Sequence, residues 1–336
     1  MTPALPRNPQ VVALGGGHGL AVSLSALKLL TDRVTAVVTV ADDGGSSGRL
    51  RDEFSVLPPG DLRMALAALC DDTEWGHTWR DVLQHRFQGG GPLGGHALGN
   101  LLIVSLWDLL GDTVDGLDLV GRLLNSRGRV LPMASVPLEI EAEILGHEPG
   151  HPETVVTVRG QHRVASSTGR VQGVRLLPTD PGCPPQTLEA VREADWVFLG
   201  PGSWFTSVMP HVLVPSLRDA LVTTQAHKLL NLNLEVHTDE TKGYRAQDHI
   251  ESIVKHAPEL RFDVVLADPS CVDDADALRR AADLVGARLV VTPLSLQGSS
   301  LQSSSSRSAS QGSPSQASPG QHDALRLASA YRDLIG

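Results

Sequence analysis

A short apolar strand followed directly by a polar, glycine-rich loop is the feature that most constrains the fold of this chain. Residues Val34–Val40 are mostly β-branched or small, which is typical of a parallel strand covered on both faces. The next segment, Asp42–Arg51, reads DDGGSSGRLR. In open α/β sheets, ligands bind just beyond the carboxyl ends of such strands. The sequence therefore predicts a nucleotide or phosphate site here, with Ser46, Ser47 and Arg49 among its contacts.

The rest of the chain alternates strand-like and helix-like segments. Further parallel strands are predicted at Val11–Leu14, Trp196–Leu199, Lys228–Leu232, Val264–Ala267 and Leu289–Val291. Helical patterns lie between them, and that order predicts βαβ units in an α/β fold with a doubly wound, mostly parallel sheet. Strand-like sequence between Val130 and Leu177 predicts a small antiparallel addition at one side of the sheet.

A helix start is predicted at Pro58–Asp61, where prolines and a glycine stop the preceding segment. Asp61 is placed to act as the N-cap, and Leu62–Leu69 is apolar along one face. A stretch rich in Gly, His and Trp, Trp75–Gly99, then leads into another helix near Asn100.

Composition divides the chain into three parts. We expect residues 1–296 to form a single α/β domain and residues 322–336 to form a short C-terminal helix. Residues 297–321 are almost entirely Ser, Gln, Gly, Pro and Ala, which cannot bury enough apolar surface to offset the loss of chain entropy. A disordered linker is therefore expected, and phosphorylation of the serines beside Arg307 is the alternative role for this tract.

The formal charge of −10 argues against a general nucleic-acid or anionic-membrane binder, because such binding needs clustered basic surface. An anionic ligand must therefore meet a local basic pocket. The three cysteines lie far apart and form no CxxC pair, which favours a reduced, cytoplasmic protein. The first ten residues lack the apolar core of a signal peptide, and the longest apolar run, Leu101–Leu110, is too short for membrane insertion.

A second glycine loop, GGGHGL, lies between the first strand and the first helix. Glycine lets the backbone approach a ligand, and a helix N-terminus favours an anion. The predicted contacts are Gly15, Gly16, Gly17, His18 and Gly19. The spacing is not G-x-G-x-x-G and lacks the Lys-Ser/Thr of a P-loop, which weakens an NAD site without excluding it. A plain tight turn is the alternative.

The adjacent carboxylates Asp42 and Asp43 are candidate metal ligands. Mg²⁺ usually takes one or two carboxylates together with ligand phosphates, so this cation is the one cofactor that the pair suggests. The two side chains could converge where the strand turns into the loop. In the alternative, one carboxylate caps the turn and only the other faces the ligand.

A third loop, GPGSWFTS, repeats this pattern after the strand WVFL. Its predicted ligand contacts are Gly200, Pro201, Gly202 and Ser203. A further helix entry carries His96 and Asn100, and a lone histidine there is more often structural than catalytic. No nucleophile elbow and no Ser-His-Asp set is recognisable, so no catalytic residue is assigned.

Together, the motifs GGGHGL, VTVADDGGSSGRLR, PPGDLRMALAAL, GHALGNLL, RVLPM and GPGSWFTSVMPHVLVP resemble those of the YvcK family, often called gluconeogenesis factors. This family lies in the CofD-like superfamily, whose enzyme branch is 2-phospho-L-lactate transferase. The resemblance is closest to actinobacterial forms. It implies a three-layer α/β/α, Rossmann-like fold and a UDP-sugar ligand such as UDP-N-acetylglucosamine. It also implies a role in cell shape and cell-wall precursor supply during gluconeogenic growth.

The resemblance also implies site residues at matching positions. The Gly15–Gly19 loop, Asp42, Asp43, Asn100 and Gly200–Ser203 align with positions around the family's nucleotide cleft. The segment TDETKGY matches a family segment like PGETxGY, which makes Tyr244 an aromatic contact to the nucleotide-sugar. Arg280, chosen over Arg279, corresponds to an arginine that contacts the ligand. The family's Pro-Gly is replaced here by Thr238–Asp239.

Two classes of function follow. The first is a UDP-sugar-binding regulatory protein without turnover, with regulatory protein partners in cell-wall synthesis. The second is a Mg²⁺-dependent phosphotransferase related to 2-phospho-L-lactate transferase, in which the Asp pair holds the metal. The segments PPGDLR and TKGY favour the first, and an NAD-binding protein is a third, disfavoured option. The oligomeric state is open, with a homo-oligomer as one alternative.

Overall fold

A computed structural model of the chain describes residues 8–147, 150–151, 153–167, 169–234, 240–295 and 322–336. The strands are β1 (Val11–Gly15), β2 (Val34–Val38), β3 (Arg129–Pro132), β4 (Glu139–Leu145), β5 (Val155–Arg159), β6 (Arg170–Leu177), β7 (Trp196–Leu199), β8 (His227–Asn231), β9 (Val264–Ala267) and β10 (Arg288–Val291). The helices are α1 (Gly17–Leu27), α2 (Gly45–Phe54), α3 (Gly60–Leu69), α4 (Glu74–Gln84), α5 (Leu98–Leu110), α6 (Thr113–Leu123), α7 (Gln161–Ala165), α8 (Pro185–Glu193), α9 (Met209–Leu213), α10 (Pro215–Thr223), α11 (Ala246–His256), α12 (Ala275–Leu284) and α13 (Ala324–Ile335). A π-helical turn spans Trp204–Val208, and a 3₁₀ turn spans Pro269–Cys271.

The main sheet has seven strands in the order β10-β9-β8-β7-β1-β2-β3, and every neighbouring pair is parallel. The chain builds β2 and β3 on one side of β1, then crosses to build β7 to β10 on the other. The switch point of this doubly wound sheet therefore lies between β1 and β7, where Leu14 pairs with Leu199. With helices flanking the sheet, the predicted Rossmann-like α/β/α class is confirmed.

The predicted antiparallel strands are confirmed, but they do not join the main sheet. The strands β5, β4 and β6 form a three-stranded antiparallel sheet of their own, in that order, instead of extending the main sheet. The segment RVLP, which precedes them, is β3 and pairs in parallel with β2, with Thr35 opposite Arg129. Helix α6 brings the chain back across the main sheet before β3, which explains the parallel direction.

The C-terminal helix α13 is part of the core. It packs against α1, and the fully buried Tyr331 lies edge-on to Phe198 with ring centroids 4.7 Å apart. The Tyr331 hydroxyl bonds to Ser23 Oγ at 3.0 Å and accepts from Asn231 Nδ2 at 2.9 Å. The linker predicted at 297–321 lies outside the described residues.

The start of α3 differs from the prediction. Pro59 is the N-cap and Gly60 is the first helical residue, so Asp61 lies one position inside the helix and does not cap it. Pro59 has φ −81°, which suits the entry into a right-handed helix. This shift turns the Asp61 carboxylate towards α1. Within the described residues, no helix is long and apolar enough to cross a membrane.

Candidate functional site

The glycine loops after β1 and β7 meet at the switch point of the main sheet and form one wall of a cleft of about 830 Å³. Of the predicted contacts, His18, Gly19, Pro201, Gly202 and Ser203 line this cleft. The other lining residues are Ala21, Val22, Ser25, Arg63, Met64, Ala67, Ala68, Arg80, Gln84, Arg86, Asn233, Leu234, His322, Asp323 and Ala324.

The first turn of α1 faces the cleft through its backbone. Its N-cap is Gly16, which has no side chain to cap the helix, and the N–H of Gly17 bonds to Asp61. The helix N-terminus favours negative charge at this end of α1. Gly19 lies so close to the loop after β7 that a Cβ on Gly19 would collide with the carbonyl oxygen of Pro201. Close packing of α1 on this loop thus requires glycine at position 19.

Asn233 holds the loop after β7, GPGSWFTS, in place. Its side-chain oxygen accepts a hydrogen bond from Gly202 N at 2.9 Å, and its side-chain nitrogen donates to Gly202 O at 2.7 Å. The Gly200–Pro201 peptide bond is cis. These bonds between the segment after β8 and the loop after β7 hold Pro201 and Gly202 at the cleft.

Asp61 is a buried carboxylate that feels the negative charge of Asp42. Asp61 receives a hydrogen bond from the backbone N–H of Gly17, at the start of α1. Burial raises the pKa of Asp61 to about 7, and the negative charge of Asp42 acts in the same direction. Asp42 Oδ1 accepts from Gly44 N at 3.0 Å, while its Oδ2 lies against Gly60 at the start of α3. The carboxylate whose pKa Asp42 raises is therefore Asp61, which the sequence suggested only as a cap.

Asp43 faces away from these two carboxylates. Its Oδ1 accepts from the backbone N–H of His162 at 3.0 Å, and its Oδ2 lies against Gly160 at the end of β5. Asp43 thus tethers the loop after β2 to the small sheet. This arrangement corresponds to the alternative in which one carboxylate supports a turn and only Asp42 remains beside the cleft loops.

A chain of buried polar groups leads from α2 to the cleft. Asn100 Nδ2 donates to Ser46 Oγ at 2.9 Å, so the Ser46 hydroxyl is free to donate to His96 Nδ1, also at 2.9 Å. At the other end, Arg63 Nε donates to Asn100 Oδ1 at 2.9 Å. Ser46 and Asn100 were predicted as ligand contacts, but they do not line the cleft, and their hydrogen bonds orient Arg63 instead.

Arg63 is a largely buried charged residue among those that line the cleft. Only 4% of it is exposed, and its Nη1 has no hydrogen-bond partner among the described residues. Burial lowers the pKa of Arg63 to about 10, with the charge of Arg86 acting in the same direction, so the guanidinium stays charged at neutral pH. A buried cation with an unpartnered N–H is strongly stabilised by an anion.

Two other loop residues support the structure without reaching the cleft. Ser47 packs beneath Gly60, where a Cβ would collide with Ser47 Oγ. Arg49 donates from Nη2 to Gly94 O at 2.9 Å and from Nη1 to Pro92 O at 3.3 Å. The guanidinium of Arg49 binds carbonyl groups of the 89–95 loop, and its predicted ligand role stays a prediction.

The predicted aromatic contact Tyr244 also lies elsewhere. It is 7% exposed, its hydroxyl donates to Val171 O at 2.9 Å, and its ring lies edge-on to Phe205 at 5.6 Å. It lines a separate groove of about 390 Å³ between β6 and α11. Arg280 is exposed on α12 and does not line the cleft. Tyr244 packs in the protein interior and neither residue lines the cleft, so both ligand contacts stay predictions.

Sequence reasoning missed several residues that line the cleft, above all Arg63 and Asn233, and it assigned no ligand role to His322. Arg63 belongs to the motif PPGDLR, which was recognised without a role for its arginine. Arg80 and Arg86 come from the stretch rich in Gly, His and Trp, which offered no anion-binding pattern. The local basic pocket expected in an acidic chain is therefore formed by α3, α4 and the segment that follows α4.

Comparison with known proteins shows which family the chain belongs to. A family model described as 2-phospho-L-lactate transferase CofD matches residues 11–292. The chain is 50% identical over 294 residues to a protein of Mycobacterium leprae (strain TN) named as a gluconeogenesis factor, covering 87% of this chain and 82% of the relative. It is 37% identical over 284 residues to the gluconeogenesis factor of Bacillus subtilis (strain 168), covering 84% and 86%.

Two crystal structures of protein BH3568 from Bacillus halodurans share the fold. One has a TM-score of 0.77 at 33% identity and covers 87% of this chain and 94% of that one. The other, described as a member of the UPF0052 family, has a TM-score of 0.78 at 31% identity and covers 97% and 99%.

The parallel seven-stranded sheet, with its cleft at the switch point, defines a CofD-like α/β protein. Within that class, the chain belongs to the gluconeogenesis-factor (YvcK) family, as its mycobacterial and Bacillus relatives show. The resemblance inferred from the motifs is thereby confirmed.

Proposed function

We propose that this protein binds a nucleoside diphosphate sugar, of the UDP-N-acetylglucosamine type, in the cleft between α1, α3 and the loop after β7. The observation that carries the proposal is the buried guanidinium of Arg63, whose Nη1 has no partner among the described residues. An acidic chain that buries such a cation in an open cleft has a place for an anion.

The diphosphate is the part of the ligand that these groups suit. The Gly17 N–H already bonds to Asp61, the remaining N-terminal turn of α1 offers backbone N–H donors, and Arg63, Arg80 and Arg86 supply positive charge to the cleft. Phosphate oxygens accept hydrogen bonds from both kinds of donor. The remaining volume, lined by small and apolar residues of α1 and α3, leaves room for a base and a sugar.

We further propose that binding serves regulation without turnover. Among the described residues that line the cleft, Ser25 donates its hydroxyl to Ala21 O and is not paired with a base. The role implied is control of cell shape and cell-wall precursor metabolism in the cytoplasm during gluconeogenic growth, through protein partners in cell-wall synthesis. The names of the relatives support the gluconeogenic part.

One observation favours a second candidate, a Mg²⁺-dependent phosphotransferase. Asp61 has its pKa raised towards neutrality beside Asp42, as in sites that work on protons or bind cations. No group of three or more His, Cys, Asp and Glu in the described parts of the chain is arranged to hold a metal ion, so Mg²⁺ would use Asp42 and Asp61 together with phosphate oxygens. The ion would neutralise charge on the diphosphate.

Thermal unfolding with three ligands separates the candidates. A ligand at a hundred times its Kd stabilises the folded state by about 2.7 kcal/mol. UDP-N-acetylglucosamine should raise the Tm without Mg²⁺, whereas NAD should not. If only GDP with Mg²⁺ raises the Tm, the regulatory proposal is wrong and the phosphotransferase takes its place.

A further inference from the structure

The cleft is lined by two chemically different sets of residues. Helices α3 and α4 and the segment after α4 present Arg63, Arg80 and Arg86, which we call the Arg63 wall. The segment that enters α13 presents His322 and Asp323. The Arg63 wall suits phosphate, and the second set offers a different kind of hydrogen-bonding group.

His322 is a buried side chain with unused hydrogen-bonding capacity. It is 8% exposed, and its Nε2 has no hydrogen-bond partner among the described residues. The backbone carbonyl of Leu232 lies beside the ring and favours an N–H directed at it. With Nε2 unpartnered, Nδ1 is the ring nitrogen placed to carry that proton.

This arrangement fixes what Nε2 can do. An imidazole that donates from Nδ1 and carries no charge has an acceptor lone pair at Nε2. Burial lowers the pKa of His322 to about 4, so the ring is uncharged at neutral pH. Asp268 is the acidic group whose charge acts on this ring, and it accepts no hydrogen bond from Nε2. A buried acceptor in this position prefers a ligand donor to an empty contact.

The backbone around His322 is held firmly. Asp268 accepts hydrogen bonds from Leu294 N at 2.6 Å and Ser295 N at 3.1 Å, and Ser295 forms an antiparallel bridge with His322. Asp323 N donates to Leu294 O at 2.8 Å, and Asp323 Oδ1 accepts from Arg326 N at 2.9 Å. Hydrogen bonds that involve the segment after β9 and the start of α13 therefore hold His322 in position.

We propose that His322 Nε2 accepts a hydrogen bond from an uncharged donor of the ligand, a hydroxyl or N–H group, while the Arg63 wall holds the phosphates. His322 is thus a specificity residue of the cleft. This inference rests on the proposed nucleotide-sugar binding. The donor belongs either to the sugar or to the nucleoside, and the two sources give different results below.

Two amide substitutions separate the nitrogens of the ring. His322→Asn keeps a group near the position of Nδ1, which can still bond to Leu232 O, but it lacks one at the position of Nε2. His322→Gln places an amide oxygen near Nε2 and serves as the matched rescue variant. The measurement is calorimetric Kd for UDP-N-acetylglucosamine, UDP and inorganic pyrophosphate, each at neutral pH, with the Tm of every variant measured in parallel.

His322→Asn should weaken the binding of UDP-N-acetylglucosamine three- to tenfold, whereas the Kd of pyrophosphate should change less than twofold. His322→Gln should recover most of the lost affinity. A loss for UDP-N-acetylglucosamine alone assigns the donor to the sugar, and an equal loss for UDP assigns it to the nucleoside. Unchanged nucleotide affinity in His322→Asn overturns the inference, as does an equal loss for pyrophosphate, which indicates a structural role. If the wild-type protein binds pyrophosphate but neither nucleotide, the proposed function itself is wrong.

Discussion

Arg63 Nε donates a hydrogen bond to Asn100 Oδ1 at 2.9 Å, and this contact joins two helices behind the cleft. Asn100 is itself held by Ser46, and Ser46 by His96. A residue of α5 that never reaches the cleft therefore determines how the guanidinium of α3 is presented to a ligand. Such indirect support is typical of preorganised binding sites.

Replacing Asn100 tests this support. Asn100→Ala leaves Arg63 Nε and Ser46 without their buried partner, so the free energy of unfolding should fall by about 1–3 kcal/mol. Affinity for pyrophosphate should fall as well, because the guanidinium loses its orientation. Urea unfolding and calorimetry measure the two effects. Ser105→Ala, at an exposed position of the same helix, is the control and should change stability by less than about 0.5 kcal/mol.

Asp61 should make stability depend on pH. Its pKa is 3.8 in the unfolded reference and about 7 in the folded protein, where burial and then Asp42 raise it. Between these values the folded state holds a proton that the unfolded state releases, so the free energy of unfolding decreases as pH rises from about 4 to about 7. Asp61→Asn removes this contribution while keeping an oxygen for the Gly17 N–H.

The difference between wild type and Asp61→Asn is the quantity to follow. Glu240, with its pKa raised to about 7 by burial, acts in the same direction as Asp61, whereas His211 and His322, with pKa values lowered to about 4 by burial, act in the opposite one. These groups are common to both proteins. Urea unfolding at pH 5 and pH 7.5 should show wild type losing more stability than the variant, and parallel pH profiles would count against a protonated Asp61.

Tyr244 should matter for stability and not for ligand affinity. Tyr244→Phe loses the hydrogen bond to Val171 O and should cost about 1 kcal/mol, whereas Tyr244→Ala empties a buried site and should cost about 3–5 kcal/mol. Calorimetry with UDP-N-acetylglucosamine on the well-folded Phe variant should give a Kd within twofold of wild type. A tenfold weaker Kd would place Tyr244 in the ligand site after all.

Gly19 tests the contact between α1 and the loop after β7. A Cβ at this position collides with the backbone of Pro201, so Gly19→Ala should destabilise the protein by about 1–3 kcal/mol and weaken ligand binding. Gly121→Ala is the matched control, because the nearest atom to its added Cβ is Ser126 Cβ at 3.9 Å. As an alanine inside α6, it should stabilise by up to about 1 kcal/mol. Equal Tm values for the two variants would contradict the close packing.

Much of the fold could be predicted from sequence, since apolar strands and loop-forming residues carry local signals. The strands Trp196–Leu199 and Val264–Ala267 agree with the structure in both bounds. Strand β2 was expected to reach Val40 but ends at Val38, because pairing with β3 ends where Val38 meets Pro132. The placement of the small sheet depends on long-range packing, which no local pattern encodes.

The site was harder to predict than the fold. The glycine loops were found because glycine and helix starts are visible in sequence, and both loops border the cleft. Arg63 was missed because an arginine inside an otherwise apolar helix gives no sign of facing a cavity. Conversely, Asp43 and Arg49 have the chemistry of ligand contacts, but the fold pairs them with His162 N and with the carbonyl groups of Pro92 and Gly94.

The most direct test of the account is the Kd of UDP-N-acetylglucosamine measured by calorimetry for wild type, Arg63→Gln and Arg49→Gln. Hydrogen bonds to a charged group contribute about 1.5–3 kcal/mol, so Arg63→Gln should bind about ten- to a hundredfold more weakly. Arg49→Gln, which removes an arginine bound to loop carbonyls outside the cleft, should bind within twofold of wild type. If Arg63→Gln is folded and binds the ligand as tightly as wild type, the cleft is not the nucleotide-sugar site.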